Sequence, residues 1–402
     1  MVQMYEIREA MDDDRDSAIR LLWKAHEVTS DIEATRKEPW AQGWHSPKKR
    51  DWSYVAKDGK EVVANVSFFE DTTNIIRGNT IPFSAVWGVA TLPQHRRKGL
   101  IRKLMVESFK SMKDKGINLS ILAPFYKLYY ERFGYALAEH RVKHEFPRVL
   151  LRLVKGDDRI TNREMTDSSD TKTVLEVEQS MSRFGSRNFH TESTIERMIK
   201  GNHYHLFERN GEPVGTVNFH FNKVKDNHLD LGVYCTTFTS LDVFPSIVEL
   251  VGHYATNATT IRWYSDPQIP VRYYMDDLQK WDSVDWGGMM MRVVDLEGYA
   301  ASIKVPEKAT ESIILKMKDE LCHWNKGKFK LTPCSGSLEI ERLDDSVQSE
   351  ISMNPLQLSE TIGGLTPATT LHGLSKIDCT AEVAEKLEAI FPSDSFVSYQ
   401  RF

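Results

Sequence analysis

The hydrophobic pattern changes period several times along the chain, and the changes outline its elements. Ile19, Leu22, Trp23 and His26 fall on one side of a helix that Asp16 is placed to cap. A tract rich in Trp, Glu and Lys, Glu27 to Arg50, reads as further helix and loop. Trp52–Ala56 and Glu61–Phe69 flank Lys57-Asp58-Gly59-Lys60, the pattern of a β-hairpin with an Asp-Gly turn. Pro82–Thr91 reads as a third strand. From Gly99 the period turns helical: Ile101, Met105, Phe109 and Met112 are spaced 4, 4 and 3, one helix face, ending at Lys115-Gly116. Ile117–Ala123 is a short apolar strand. An aromatic helix over Phe125–Phe133 and a strand after Gly134 follow it.

The middle of the chain repeats this order. His203–Glu208 and Pro213–Phe221 form a second hairpin, its Asn210-Gly211 turn 152 residues after the first. A strand at His228–Thr236, a helical pattern with Phe244, Ile247, Val248 and Val251, and a strand at Thr260–Tyr264 complete it. Duplication and coincidence among common α/β patterns both account for the repeat. The third region opens at Val305-Pro306. It shows a strand at Ile313–Met317, a turn at Trp324–Gly327, two or three more strands to Ile351, and helices at Leu356–Ile362 and Thr380–Phe391. The final SFVSYQRF is apolar and aromatic, the pattern of a packed segment rather than a solvated tail. The fold class expected is α/β (α+β), mixed sheets layered with helices.

Composition narrows the function classes. In 402 residues, hydrophobic side chains are 41 % and charged ones 27 %, an ordinary globular balance. A net charge of −5 gives no reason to expect bulk nucleic-acid binding. No run of about 18 apolar residues occurs, so no membrane span is expected. MVQMYEIREAMDDDRD lacks the apolar core of a signal peptide, which favours a cytoplasmic protein. Cys235, Cys322, Cys334 and Cys379 have no CxxC spacing; reduced core cysteines and no metal are expected.

The chemistry concentrates where an apolar strand passes through a basic loop into a helix, Val89-Ala90-Thr91-Leu92-Pro93-Gln94-His95-Arg96-Arg97-Lys98-Gly99-Leu100. The unpaired N–H groups of a first helical turn and the helix dipole favour an anion there. Arg96, Arg97 and Lys98 add cations, and Gly99 lets backbone approach a phosphate. From His95 to Lys115 there are eight Lys/Arg against two Asp/Glu, in a chain whose total is −5. The placement points to a pyrophosphate site.

Arg96-Arg97-Lys98-Gly99-Leu100-Ile101 resembles the Gln/Arg-x-x-Gly-x-Gly/Ala signature of the GCN5-related N-acetyltransferases (GNATs), with Ile101 in place of the last small residue. That departure is common in the Eis-like branch, whose loop reads His-Arg-Arg-x-Gly-Leu. Pro124-Phe125, Tyr129-Tyr130 and Phe133-Gly134-Tyr135 resemble a second run of that branch. The length, and the aromatic Phe402, are also similar.

The resemblance implies tandem GNAT-like mixed sheets with flanking helices plus a C-terminal sterol-carrier-protein-like α/β domain. Residues 1–152 would be the catalytic domain and 153–298 a second GNAT-like domain. Residues 299–402 would form the third and supply the chain's terminal carboxylate. It implies acetyl-CoA as co-substrate, held by Val89, Ala90 and Thr91 along the pantetheine arm. Arg96, Arg97, Lys98, Gly99, Leu100, Ile101 and Arg102 would hold the pyrophosphate, with Phe125 and Tyr126 across the arm. Tyr130 would be the general acid: a phenol, with a reference pKa near ~10, can protonate the departing thiolate. The Phe402 carboxylate would be the general base. Glu27, Asp31, Glu33, Trp40 and Trp44 lie in the loop that would border the acceptor, where carboxylates and indole faces suit a cationic amine. Phe238-Thr239-Ser240-Leu241-Asp242-Val243, at the equivalent junction of the middle region, has no Arg and no Gly and should not bind phosphate. A homohexamer is implied by resemblance alone. The competing function is a lipid- or acyl-CoA-binding protein with a vestigial acetyltransferase domain.

Overall fold

The computed structural model describes residues 4–26, 29–71, 73–223, 229–277, 280–285, 288–394 and 396–400. Two seven-stranded mixed sheets, a four-stranded sheet and a three-stranded sheet carry the fold.

The first sheet runs in the spatial order Glu6–Glu9, Asp51–Asp58, Glu61–Asp71, Phe83–Thr91, Leu119–Leu122, Met290–Val293 and Ala136–Leu137. The expected hairpin is present, with Gly59 at positive φ in its turn. On one face lies the helix Leu100–Asp114, which buries Leu104, Met105, Phe109 and Met112 completely. Each such side chain stabilises by roughly 1.5–3 kcal/mol. Against the other face packs the helix Arg15–Ala25 through Ala18, Leu21 and Leu22. The residue preceding that helix is Asp14, not Asp16. Its carboxylate is buried because Arg8 (2.6 Å) and Lys57 (2.7 Å) neutralise it and the backbone N–H of Met11 donates to it at 2.9 Å.

The second sheet is built alike, in the order Asp282–Asp285, Val142–Pro147, Thr260–Ser265, Leu229–Phe238, Glu212–Lys223, His203–Arg209 and Ile160–Glu164. Sheet membership crosses the expected boundaries at 152 and 298 in both directions. Val142–Pro147, before the first boundary, sits between two strands of the second sheet. Met290–Val293, before the second, pairs antiparallel with Leu119–Leu122 and Ala136–Leu137 of the first. The two sheets thus exchange a strand, a choice of partners that no local pattern encodes.

The third region folds as the four-stranded sheet with the helices Pro355–Gly363, Ala368–Gly373 and Ala381–Ile390. Its core holds Ile313, Leu315, Phe329, Leu331, Leu358, Ile362 and Leu387, none more than 2 % exposed. The same apolar cluster takes in Phe83, Leu119, Ile121, Met291 and Val293 of the first sheet. All four cysteines are free. Cys235 and Cys322 are buried, but Cys334 is exposed at a hairpin end and Cys379 only half-buried, so the expectation of core positions holds for two.

The three-stranded sheet joins the regions: Asn74–Ile75, Arg187–Asn188 and Val397–Ser398, one strand from each. The last strand is gripped by two buried charged residues. Ser398 N–H donates to Glu139 at 2.9 Å, and Arg141 donates to the Ser398 carbonyl at 3.0 Å. Tyr399 N–H donates to Asn188 O at 2.9 Å. The chain's last described residues therefore run between Glu139 and Arg141 on one side and Asn188 on the other. No helix among the described residues is long and apolar enough to cross a membrane.

Candidate active site

Phe83–Thr91 and Leu119–Leu122 are parallel, and their pairing stops at Val86 opposite Leu122. Beyond that point the strands part. A bulge lies here: Trp87 faces Ser67 and Ala90 faces Asn65, so Gly88 and Val89 stand against one residue, Val66. Gly88 takes φ +58°, and the Asn65 side-chain amide donates to its carbonyl at 2.8 Å. Glycine suits this positive φ, and an added Cβ would crowd that amide at 3.1 Å. Val89, Ala90 and Thr91 follow along an edge that no strand pairs among the described residues, as an extended ligand arm requires.

The basic loop leaves this edge through the short turn Pro93–His95. Arg96, Arg97, Lys98, Gly99 and Arg102 are exposed, while Leu100 and Ile101 turn into the core. Arg97 and Gly99 both take positive φ, which turns the chain into the helix Leu100–Asp114. No carboxylate pairs with Arg96 or Arg97 among the described residues; Arg96 reaches only the Thr91 carbonyl, at 3.3 Å. Tyr5 pins the loop, its hydroxyl hydrogen-bonded to His95 Nδ1 at 2.9 Å and accepting from Lys98 at 2.8 Å. An acidic stretch of unremarkable pattern hid Tyr5 from sequence reasoning.

The helix Lys127–Glu131 starts just past Leu119–Leu122, which brings Tyr130 to the parting of the strands. Tyr130 is 4 % exposed, yet its hydroxyl makes no hydrogen bond among the described residues. By contrast the Tyr135 hydroxyl is hydrogen-bonded to Ser120 Oγ at 2.7 Å, a structural tyrosine. Burial raises the Tyr130 pKa well above that of a free phenol, so the proton stays on oxygen at neutral pH. Phe125 and Tyr126 are exposed, 73 % and 57 %, and the Phe125 ring lies edge-on 5.6 Å from Tyr130. Arg292, on the exchanged strand, holds this helix from behind. Its buried guanidinium donates to the Phe133 carbonyl, to Asp319 (2.7 Å) and to Cys322 Sγ (3.1 Å). Its bulk leaves room only for glycine at 134, where a Cβ would lie 2.3 Å from it. The sequence carries no sign of this, because Arg292 lies 159 residues from the carbonyl it holds.

On the acceptor side the expectations divide. Trp40 is half-buried and meets Trp87 edge-on at 6.4 Å. Trp44 is completely buried and donates its indole N–H to Asn65 at 3.2 Å, so it presents no face to a ligand. Asp31 caps the short helix Ile32–Thr35, accepting from the N–H groups of Glu33 (2.8 Å) and Ala34 (3.0 Å). Glu33 is exposed and paired with Arg36. Capping and ion pairing thus occupy both carboxylates. Glu27 and Phe402 lie outside the described residues.

Residues 6–138 match the model of an acetyltransferase (GNAT) domain, and residues 296–397 that of a sterol carrier protein domain. A protein of Streptomyces avermitilis, named as an uncharacterized N-acetyltransferase, is 21 % identical over 357 residues, covering 78 % of this chain and 80 % of its own. Among solved structures, a GCN5-related N-acetyltransferase from Anabaena variabilis has a TM-score of 0.84 at 16 % identity, covering 99 % of this chain and 100 % of its own. The free strand edge, the basic loop and the domain match together define an acyltransferase of the GNAT kind. An Eis protein of Mycobacterium abscessus has a TM-score of 0.74 at 15 % identity, covering 99 % and 100 % of the two chains. The chain accordingly carries a GNAT acetyltransferase domain and a sterol carrier protein domain, and shares its fold with that Eis protein.

Proposed function

We propose that the chain moves the acetyl group of acetyl-CoA directly to a primary amine, of a polyamine, an aminoglycoside-like molecule or a lysine side chain. Residues 1–152 carry the transfer, 153–298 form a second GNAT-like domain without a phosphate loop, and 299–402 deliver the terminal carboxylate. Arg96, Arg97, Lys98 and the first turn of the following helix hold the pyrophosphate. Val89, Ala90 and Thr91 pair with the pantetheine arm, with Phe125 and Tyr126 on its other side. Tyr130 protonates the thiolate as it leaves, and the Phe402 carboxylate takes the proton of the attacking amine.

The observation that carries this reading is Tyr130, its side chain 4 % exposed and its hydroxyl without a hydrogen-bond partner among the described residues, beside an open strand edge. The base assignment draws on the path of residues 396–400, which Glu139, Arg141 and Asn188 hold. A cytoplasmic homohexamer belongs to the same reading.

The test is thiol release from acetyl-CoA against a panel of polyamines, aminoglycosides and lysine peptides. Amine-dependent release is expected. Release with none of them would overturn the reading in favour of a lipid- or acyl-CoA-binding protein. A short C-terminal extension converts the carboxylate of Phe402 into an amide and should abolish transfer in a folded protein that still binds acetyl-CoA. Full turnover in the extended chain would remove the carboxylate from the mechanism.

A further inference from the structure

The second sheet gathers three side chains of a kind that hold metals. Glu178 lies on the helix Thr171–Ser180, His190 just past the strand Arg187–Asn188, and Cys235 on the strand Leu229–Phe238. A carboxylate oxygen, a ring nitrogen and the thiol sulfur all lie within 4.8 Å of one another. All three residues are buried, Glu178 completely. His190 is 12 residues and Cys235 57 residues from Glu178, so the set matches no metal motif and meets only in the fold.

The Glu178 carboxylate is held by His190 Nδ1 at 2.6 Å, the His190 backbone N–H at 3.2 Å and the Cys235 thiol at 3.8 Å. A second observation points to the same place. The Tyr204 hydroxyl is fully buried and makes no hydrogen bond among the described residues, yet it faces the Cys235 sulfur and the Glu178 carboxylate. The nearby Thr216 hydroxyl is already shared with Thr237 at 2.7 Å. A thiol is a weak acceptor for that phenol, whereas a metal-bound thiolate is a strong one.

We propose that Glu178, His190 and Cys235 bind a zinc ion, which fastens the chain's terminal segment to the second sheet. Nitrogen, sulfur and carboxylate oxygen are the ligands zinc takes, and the second Glu178 oxygen or a water completes four. A thiolate and an imidazole select against magnesium and calcium. One thiolate and one carboxylate neutralise the dication, and binding displaces the thiol proton and the proton shared by His190 Nδ1 and Glu178. Burial pushes the Cys235 thiol well above its usual pKa, so a cation at this point is what makes a thiolate there. Arg141, which also faces Cys235, donates to the Ser398 carbonyl at 3.0 Å. The link to the terminal segment runs through His190. Its ring stacks on Tyr399 at 6.1 Å, and the N–H of Thr191 donates to the Gln400 side chain at 2.8 Å. A metal that fixes the ring fixes the seat of both residues. A structural ion of this kind is enclosed as the chain folds around it and requires no channel. The inference does not rest on the acetyltransfer reading.

The test uses the full chain, stripped with a chelator and titrated with Zn²⁺ or Co²⁺ alone. Wild type should take up one zinc per chain by elemental analysis after gel filtration, and its cobalt form should show a thiolate-to-cobalt charge-transfer band. Cys235→Ser should lose the band and weaken zinc by more than about a hundredfold, beyond the cost of losing an outer-shell partner. Cys334→Ser and Cys379→Ser should keep both properties. In wild type, which needs no substitution to fold, zinc should slow hydrogen exchange at the Ser398 and Tyr399 amides. Less than half a zinc per chain in wild type, or a band that survives in Cys235→Ser, overturns the site. So does a band lost in Cys379→Ser, which would place the metal at Cys379 and His372, 4.0 Å apart. Exchange at Ser398 and Tyr399 unchanged by zinc overturns the fastening of the terminal segment.

Discussion

The two large sheets contain the same parting of strands and treat it in opposite ways. In the second, Leu229–Phe238 and Thr260–Ser265 pair only as far as Val233 opposite Trp263. A bulge follows, and Cys235 then stands opposite Asn218 as Ala90 stands opposite Asn65. Here the resemblance ends. Cys235 is buried against Glu178, whose carboxylate also binds His190 Nδ1 (2.6 Å) and its backbone N–H (3.2 Å). Tyr399 stacks on His190 from the chain's end. The free end of the strand is closed as well, Phe238 N–H contacting Met181 Sδ at 3.5 Å and its carbonyl accepting from Ser180. Asp242, at the junction with the next helix, is tied to Arg209 at 2.6 Å. One parting is an open edge under cations; the other is filled with its own side chains. A fold supplies the gap, and the residues lining it decide whether a ligand can enter.

The comparison can be broken at its centre. Tyr130→Phe should lower turnover by about 10²–10⁴-fold with acetyl-CoA affinity unchanged, measured by steady-state kinetics and calorimetry. Arg292→Ala should come next. It leaves Asp319 buried and unpaired and releases the Phe133 carbonyl, a loss of about 3–5 kcal/mol in denaturant unfolding. Arg97→Ala should weaken acetyl-CoA by about ten- to a hundredfold, the value of a charge-assisted bond of roughly 1.5–3 kcal/mol. Affinity unchanged in both Arg96→Ala and Arg97→Ala would remove the phosphate assignment. The smallest effect belongs to the filled parting: Tyr204→Phe, at a fully buried ring near Cys235, should leave turnover within about twofold. A large loss of activity there would mean that the second sheet takes part in the chemistry.

The elements legible in the sequence were those fixed by near neighbours. Both hairpins follow from Asp58-Gly59 and Asn210-Gly211, and the helix Leu100–Asp114 from a run of apolar residues on one face. The basic loop was legible for the same reason, since a glycine and three cations in a row announce themselves. The Trp-rich tract after the first helix was not. Trp44 and Trp40 are alike in sequence, but only the fold shows that Asn65 draws one into the core while the other meets Trp87. Asp14 displaced Asp16 because its partners, Arg8 and Lys57, come from two other strands.

The exchanged strands set a clock on the first sheet. Tyr130 belongs to the first third of the chain, but Arg292, which braces its helix, emerges from the ribosome more than 150 residues later. At about 5–20 residues per second that is a wait of order ten to thirty seconds. Until then Leu119–Leu122 lacks its partner Met290–Val293 and presents an unpaired apolar edge, the kind of surface that recruits other chains. Nor can Val142–Pro147 settle before Thr260–Ser265 exists. The two sheets must therefore finish together, and a fragment cut near residue 152 should be a poor folder, however complete its motifs look on paper.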